Sequence, residues 1–197
     1  MPRWHRPRSP APIRRAARGR FYCAGTLLGA LFLLGATSRD SWVLYRGDGF
    51  SVRVPAAPRV QEDRIETPTG PQRVLILSSV LASESYAVVC TFYAKELVDR
   101  AGAERLLAAA LLRFLDETEG SLIRQQPIAL LGHPGHEVAF LSLDSERITT
   151  ARIFFAGERL FSLIGDVPRE SGPDAGVTRF FRSFELAPQP EPDAGDA

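Results

Sequence analysis

Asparagine is absent from the 197-residue chain, lysine occurs once, at Lys95, and the only methionine is Met1. Without asparagine there is no acceptor for N-glycosylation. With one lysine, any Schiff-base chemistry has a single candidate. Two cysteines, Cys23 and Cys90, are too few for a disulfide-dense scaffold. The sequence contains no Gly-x-Ser-x-Gly elbow, Walker loop, His-Glu-x-x-His or Cys-x-x-Cys pattern. What is present is ordinary for a globular domain: 45% hydrophobic and 24% charged residues exclude collagen, coiled coil, a multi-pass membrane protein and full disorder.

Acidic residues are missing locally. Residues 1–38 hold Arg3, Arg6, Arg8, Arg14, Arg15, Arg18 and Arg20 and no Asp or Glu, a charge of +7. Of the 24 basic residues, 17 remain against all 23 acidic ones in residues 39–197, a net of −6, so the overall +1 averages two unlike segments. The basic arm leads directly into an uncharged apolar run from Phe21 to Thr37, with the small residues Ala36, Thr37 and Ser38 around its end. A positive arm before an apolar run is the pattern of an export signal. Two outcomes are compatible with it: cleavage after Ala36 or Ser38, or retention of the 17-residue run as an N-terminal membrane anchor and transmembrane helix. Either leaves the arginines in the cytoplasm and sends the remainder across the membrane.

Twin-arginine export is disfavoured because Ala16, Ala17 and Arg18 follow Arg14-Arg15 where an apolar pair belongs. Cys23 opens the apolar run rather than following it, which argues against lipidation. The arm has a single aromatic, Trp4, among its arginines and abuts a membrane-length run, and no nucleic-acid partner is expected.

Three parts are expected: a topogenic segment over residues 1–38, an α+β domain over 39–187, and a disordered Pro-rich acidic tail over 188–197. In the domain, Phe50, Val52 and Val54 alternate with Ser51 and Arg53, the period of a half-buried strand. Residues 60–67 and 72–81 predict a hairpin around Pro68-Thr69-Gly70-Pro71. Residues 85–94 are apolar on both faces, with Tyr86, Val88, Cys90 and Phe92 opposite Ala87, Val89 and Tyr93, which predicts a central strand. Ala and Leu density predicts one long helix, capped by Asp99 and stopped by Gly120. Hairpins over 121–143, turning at Gly132-His133-Pro134-Gly135, and over 147–166 follow. A short helix opened by Ser171-Gly172-Pro173 and a strand over 183–186 close the domain. Antiparallel strands with segregated helices define α+β, here a sheet packed by one long and one short helix.

This order resembles the PsbP-like fold, on the residues Gly49-Phe50-Ser51-Val52-Arg53-Val54-Pro55 near the start and Arg179-Phe180-Phe181-Arg182-Ser183-Phe184 near the end. A turn from Leu131 to Glu137 and a hairpin from Arg152 to Phe161 are similar to those of uncharacterised exported bacterial proteins of this type. The likeness spans residues 42–187 and rests on turns and core aromatics, so it implies a fold and no catalytic residue. It further implies action by binding protein partners, as in the photosystem II and nuclear-import members.

The chemistry-bearing candidates are few. His133 and His136, with Glu137, supply two or three weak metal ligands, although a turn already explains the surrounding Gly and Pro. Cys90 lies among alternating apolar neighbours and is expected in the core. Asp116, Glu117 and Glu119, and the pair Asp144 and Glu146, lack the oxygen-ligand spacing of a calcium loop. Phe154, Phe155, Phe161, Phe180, Phe181 and Phe184 are expected as core before cofactor pocket. The expectation is therefore a non-enzymatic, exported or tethered accessory domain of the cell envelope, with no cofactor, an envelope protein as partner and the membrane as a further partner if residues 21–37 are retained. A carrier of an apolar ligand or lipid, and a metal-dependent hydrolase, are the alternatives from other classes.

Overall fold

The computed structural model describes residues 42–67, 70–171 and 175–187. The expected topogenic segment and disordered tail, Pro68-Thr69 of the expected hairpin turn and the Gly172-Pro173 expected to open the short helix lie outside the described residues.

Among the described residues, ten strands form two antiparallel sheets. The first pair, β1 (Val43–Gly47) and β2 (Phe50–Val54), is a hairpin with Gly47 opposite Phe50. β3 (Arg59–Thr67) and β4 (Gly70–Val80) form the next hairpin, and β5 (Ser85–Phe92) follows. After the helices come β6 (Ser121–Leu130), β7 (His133–Leu141), β8 (Arg147–Ala156) and β9 (Arg159–Pro168). A last short strand, β10 (Glu185–Leu186), returns to β2. The large sheet has the order β3-β4-β5-β9-β8-β7-β6, and the small one the order β1-β2-β10. The small sheet departs from the expected single sheet. Its third strand pairs Glu185 with Ser51, a contact across most of the domain that no local pattern encodes.

The helices depart from expectation as well. In place of one helix capped by Asp99 there are two, α1 (Lys95–Ala101) and α2 (Ala103–Glu117), meeting at Gly102. Gly102 has φ 81° and ψ 139°, outside helical space and costly for any residue with a Cβ, so the hydrogen-bond ladder stops and restarts there. Asp99 sits inside α1 and accepts from Lys95 Nζ at 2.8 Å, one turn away. The expected short helix is α3 (Ala175–Arg182).

The hairpin between β6 and β7 is tighter than expected. Leu131 (φ 52°) and Gly132 (φ 81°) make a two-residue connection, with Leu130 opposite His133. Positive φ at both central positions fits the right-handed twist of the flanking strands. His133, Pro134, Gly135 and His136 are thereby drawn into β7.

Each face of the large sheet carries its own core. On one face, Leu75, Leu77, Tyr86, Val88, Cys90, Phe154, Phe161 and Leu163 meet Phe50, Val52 and Val54 of the small sheet and Val177, Phe180 and Phe181 of α3. On the other, Val138, Phe140, Ala151, Ile153, Phe155 and Leu160 meet Leu107 and Leu111 of α2. β5 lies between β4 and β9 and is covered on both sides, as its composition predicts.

An aromatic block joins the two sheets. Phe50 stacks on Phe184 at 5.5 Å between ring centroids and meets Phe161 edge-on at 5.8 Å, and Phe161 stacks on Phe154 at 5.3 Å. Each such pair contributes about 0.5–1.5 kcal/mol beyond area burial. Phe50 is 2% exposed, so Phe50→Ala is expected to destabilise the domain by about 3–5 kcal/mol in urea unfolding. Leu112→Ala, at a position 68% exposed, should change stability by no more than about 0.5 kcal/mol. Equal, small effects would contradict the joining role of Phe50.

Candidate functional site

The candidate ligands around the β6–β7 hairpin do not converge. His133 and His136 are three residues apart on one strand, and alternation sends odd and even positions to opposite faces. Glu137, 5% exposed, is consumed by cations: Arg124 Nη2 donates to Oε1 at 2.6 Å and Arg152 Nε to Oε2 at 2.8 Å. Gln126 Nε2 adds a third bond to Oε1 at 3.2 Å, and the Arg152 guanidinium lies 4.6 Å from the Phe181 ring centre. A buried carboxylate satisfied in this way fixes strand β7 against its neighbours and has little lone-pair capacity left for a metal. His136 Nδ1 is buried without a hydrogen-bond partner. Among the described residues, no group of three His, Cys, Asp or Glu side chains could hold a metal ion.

The other candidates are also engaged or buried. Cys90 is completely buried, and desolvation pushes its thiol up to about 12, with Arg159 pulling weakly the other way. Lys95 is exposed and paired with Asp99. Glu117 accepts from Arg113 Nε at 2.7 Å across one turn of α2. Asp144 accepts from Ser142 Oγ at 2.5 Å and from the Glu146 N–H at 3.1 Å, which holds its carboxyl below the usual range and closes the β7–β8 connection. The phenylalanines divide between the two cores, Phe155 on the α2 face and the other five on the face toward the small sheet. A cavity of about 170 Å³ lies between α2 and the β6–β7 and β8–β9 turns, lined by Ala103, Glu104, Leu107, His133, Pro134, Phe155 and Gly157. Ligand pockets run from about 300 to 1,000 Å³.

Arginine does most of the pairing. Arg73, Phe92 and Arg159 sit side by side across β4, β5 and β9. Both guanidiniums lie over the Phe92 ring, at 4.1 and 5.2 Å from its centre. Asp48 in the β1–β2 turn receives Arg73 Nη2 at 2.6 Å, and its carbonyl receives Arg159 Nη1 at 2.6 Å, so the turn is clamped to the large sheet. Glu62 completes the cluster, and its hydrogen bonds and charge attraction with Arg73 hold its carboxyl below the usual range.

One group of unpaired arginines gathers in space, and residue patterns along the chain missed it. Arg46, Arg53, Arg179 and Arg182 are all exposed. None forms an ion pair with another described residue. Arg179 covers the Trp42 ring at 4.7 Å, and Ser183 Oγ accepts from the Arg53 N–H at 2.9 Å, which brings β2 to the end of α3. A shallow, open depression of about 490 Å³ is lined there by Ala175, Thr178, Arg179, Arg182 and Ser183. The outward positions of Arg46 and Arg53 in alternating strands, and the spacing of Arg179 and Arg182 on one helix, are the available signals. The pairing of β10 with β2 and the bond from the Arg53 N–H to Ser183 Oγ, each joining positions 130 or more residues apart, assemble them.

No protein-family model matches the sequence, and no curated protein matches it. Among solved structures, the chain is similar to cyanobacterial PsbP (CyanoP) from Synechocystis sp. PCC 6803, with a TM-score of 0.50 and 14% identity over 79% of this chain and 98% of that one. The fold is PsbP-like.

The burial of Cys90 gives a pH-dependent expectation. Its thiol titrates near 8.5 in an unfolded chain and at about 12 in the fold, so between those values the unfolded state loses the proton first. Stability contributed by the neutral thiol is complete below about pH 8.5 and falls as pH rises toward 12. At about pH 8 only ~10⁻⁴ of the thiol is ionised in the fold, so iodoacetamide should leave the Cys90 peptide unmodified until denaturant is added, as read by mass spectrometry. Rapid native-state alkylation would contradict this placement.

Proposed function

We propose that the chain is a non-enzymatic accessory domain of the cell envelope, exported and acting there by binding, either free or tethered through residues 21–37. The carrying observation is that its chemistry-bearing side chains are spent on structure: Glu137 on two arginines, Lys95 on Asp99, Glu117 on Arg113, Cys90 in the core. A catalytic or metal site needs such groups convergent and partly available. The PsbP-like fold supports this reading in a general sense, because fold alone fixes no activity. Export rests on the seven arginines and the apolar run of residues 1–38.

The hydrolase alternative draws no support from histidines on opposite faces of β7. A lipid-carrier role draws none from a cavity of about 170 Å³. The partner expected is an envelope protein. In-cell crosslinking of the full chain, followed by mass spectrometry of envelope fractions, should recover a specific protein crosslinked reproducibly to the same domain surface. Recovery of abundant proteins alone, with crosslinks scattered over the domain, would count against the reading.

A further inference from the structure

We propose that the arginine face around Trp42 rests against the headgroups of anionic phospholipids when residues 21–37 hold the chain in a bilayer; the proposal rests on the tethered form of the function above. The tether is short. The apolar run ends at Thr37 and the described domain begins at Trp42, five peptide steps later. Fully extended, five steps reach at most about 18 Å. The polar zone on each side of a bilayer is itself about 5–8 Å deep. A bilayer holding the run therefore keeps Trp42 within a short distance of the headgroups, whatever path residues 38–41 take.

Trp42 also sits among cations. Its ring carries the Arg179 guanidinium, and Arg182 and Arg53 stand beside the same end of α3, with Arg46 further along the outer face of the small sheet. Among the described residues, Glu185, opposite Ser51, is the acidic residue of that outer face, so four described guanidiniums meet one described carboxylate. Arg73, Arg113, Arg124, Arg147, Arg152 and Arg159 have carboxylate partners. Arg59, Arg64, Arg100, Arg105 and Arg169, exposed and likewise outside the ion pairs of the described residues, are spread over β3, α1, α2 and the end of β9 and are not gathered around one ring. A concentration of unmatched guanidinium beside the tether exit fits a phosphate-bearing surface, since the planar fork bonds phosphate oxygens in pairs. Tryptophan favours the same interfacial zone, with its apolar body and polar edge.

The test uses the full chain reconstituted into vesicles of phosphatidylcholine alone and of phosphatidylcholine with about one-third phosphatidylglycerol. Flotation reports anchoring, and modification by an arginine-specific dicarbonyl, read peptide by peptide, reports which guanidiniums are covered. The chain should float with both vesicles. Modification of Arg53, Arg179 and Arg182 should fall about fivefold on the anionic vesicles only, the attraction expected for each basic residue near an anionic surface. Exposed Arg105 on α2 should be unaffected. The double variant Arg179→Gln/Arg182→Gln should restore the reactivity of Arg53, and so should high salt. Equal modification on the two vesicles, with the chain still floating, would overturn the proposal and leave the tether standing. A chain left behind by neutral vesicles would overturn the tethered reading itself.

Discussion

Four phenylalanine rings, Phe50, Phe154, Phe161 and Phe184, hold the small sheet against the large one, and they come from the start, the middle and the end of the domain. With these rings in place, β10 pairs with β2, α3 lies across β9, and Trp42 is fixed beside Tyr86 and Arg179. The described residues from Trp42 onward are thus packed into the same core as the last helix. The arginine face follows from this closure, because its members are contributed by β1, β2 and α3.

The near absence of lysine shapes the polar structure. An ammonium is a point charge, whereas a guanidinium donates in a plane and stacks on rings. Arg73 and Arg159 use both properties at once, covering Phe92 while holding the Asp48 turn. Arg152 does the same between Phe181 and Glu137. Polar groups that catalysis would need free are instead the fasteners between strands. The same residue type left unmatched on one face becomes a means of recognition, where an anionic surface supplies what the protein does not.

Much of the fold was legible along the chain. β5 declared itself by two apolar faces, and the hairpins by alternation broken at Gly and Pro, because strand periodicity is a local property. The break at Gly102 was not, because alanine and leucine on both sides favour helix and outweigh one glycine in any count of propensity. The four-residue turn expected at 132–135 shortened to Leu131-Gly132, since a tight turn admits a non-glycine residue at positive φ when the strands demand that twist. Pairing of β10 with β2, and the meeting of Arg53 with α3, were invisible because they join positions some 130 residues apart. Of the candidate site, the burial of Cys90 was legible in its neighbours, while the engagement of Glu137 depended on cross-strand partners in β6 and β8.

In the tethered form of the proposed function, a domain whose polar interior is structural works against a membrane from a short tether. Envelope fractionation with N-terminal sequencing of the chain tests it most directly. The expected result is an intact arginine-rich N-terminus in the membrane fraction. A soluble envelope form beginning at Thr37 or Arg39 would contradict it.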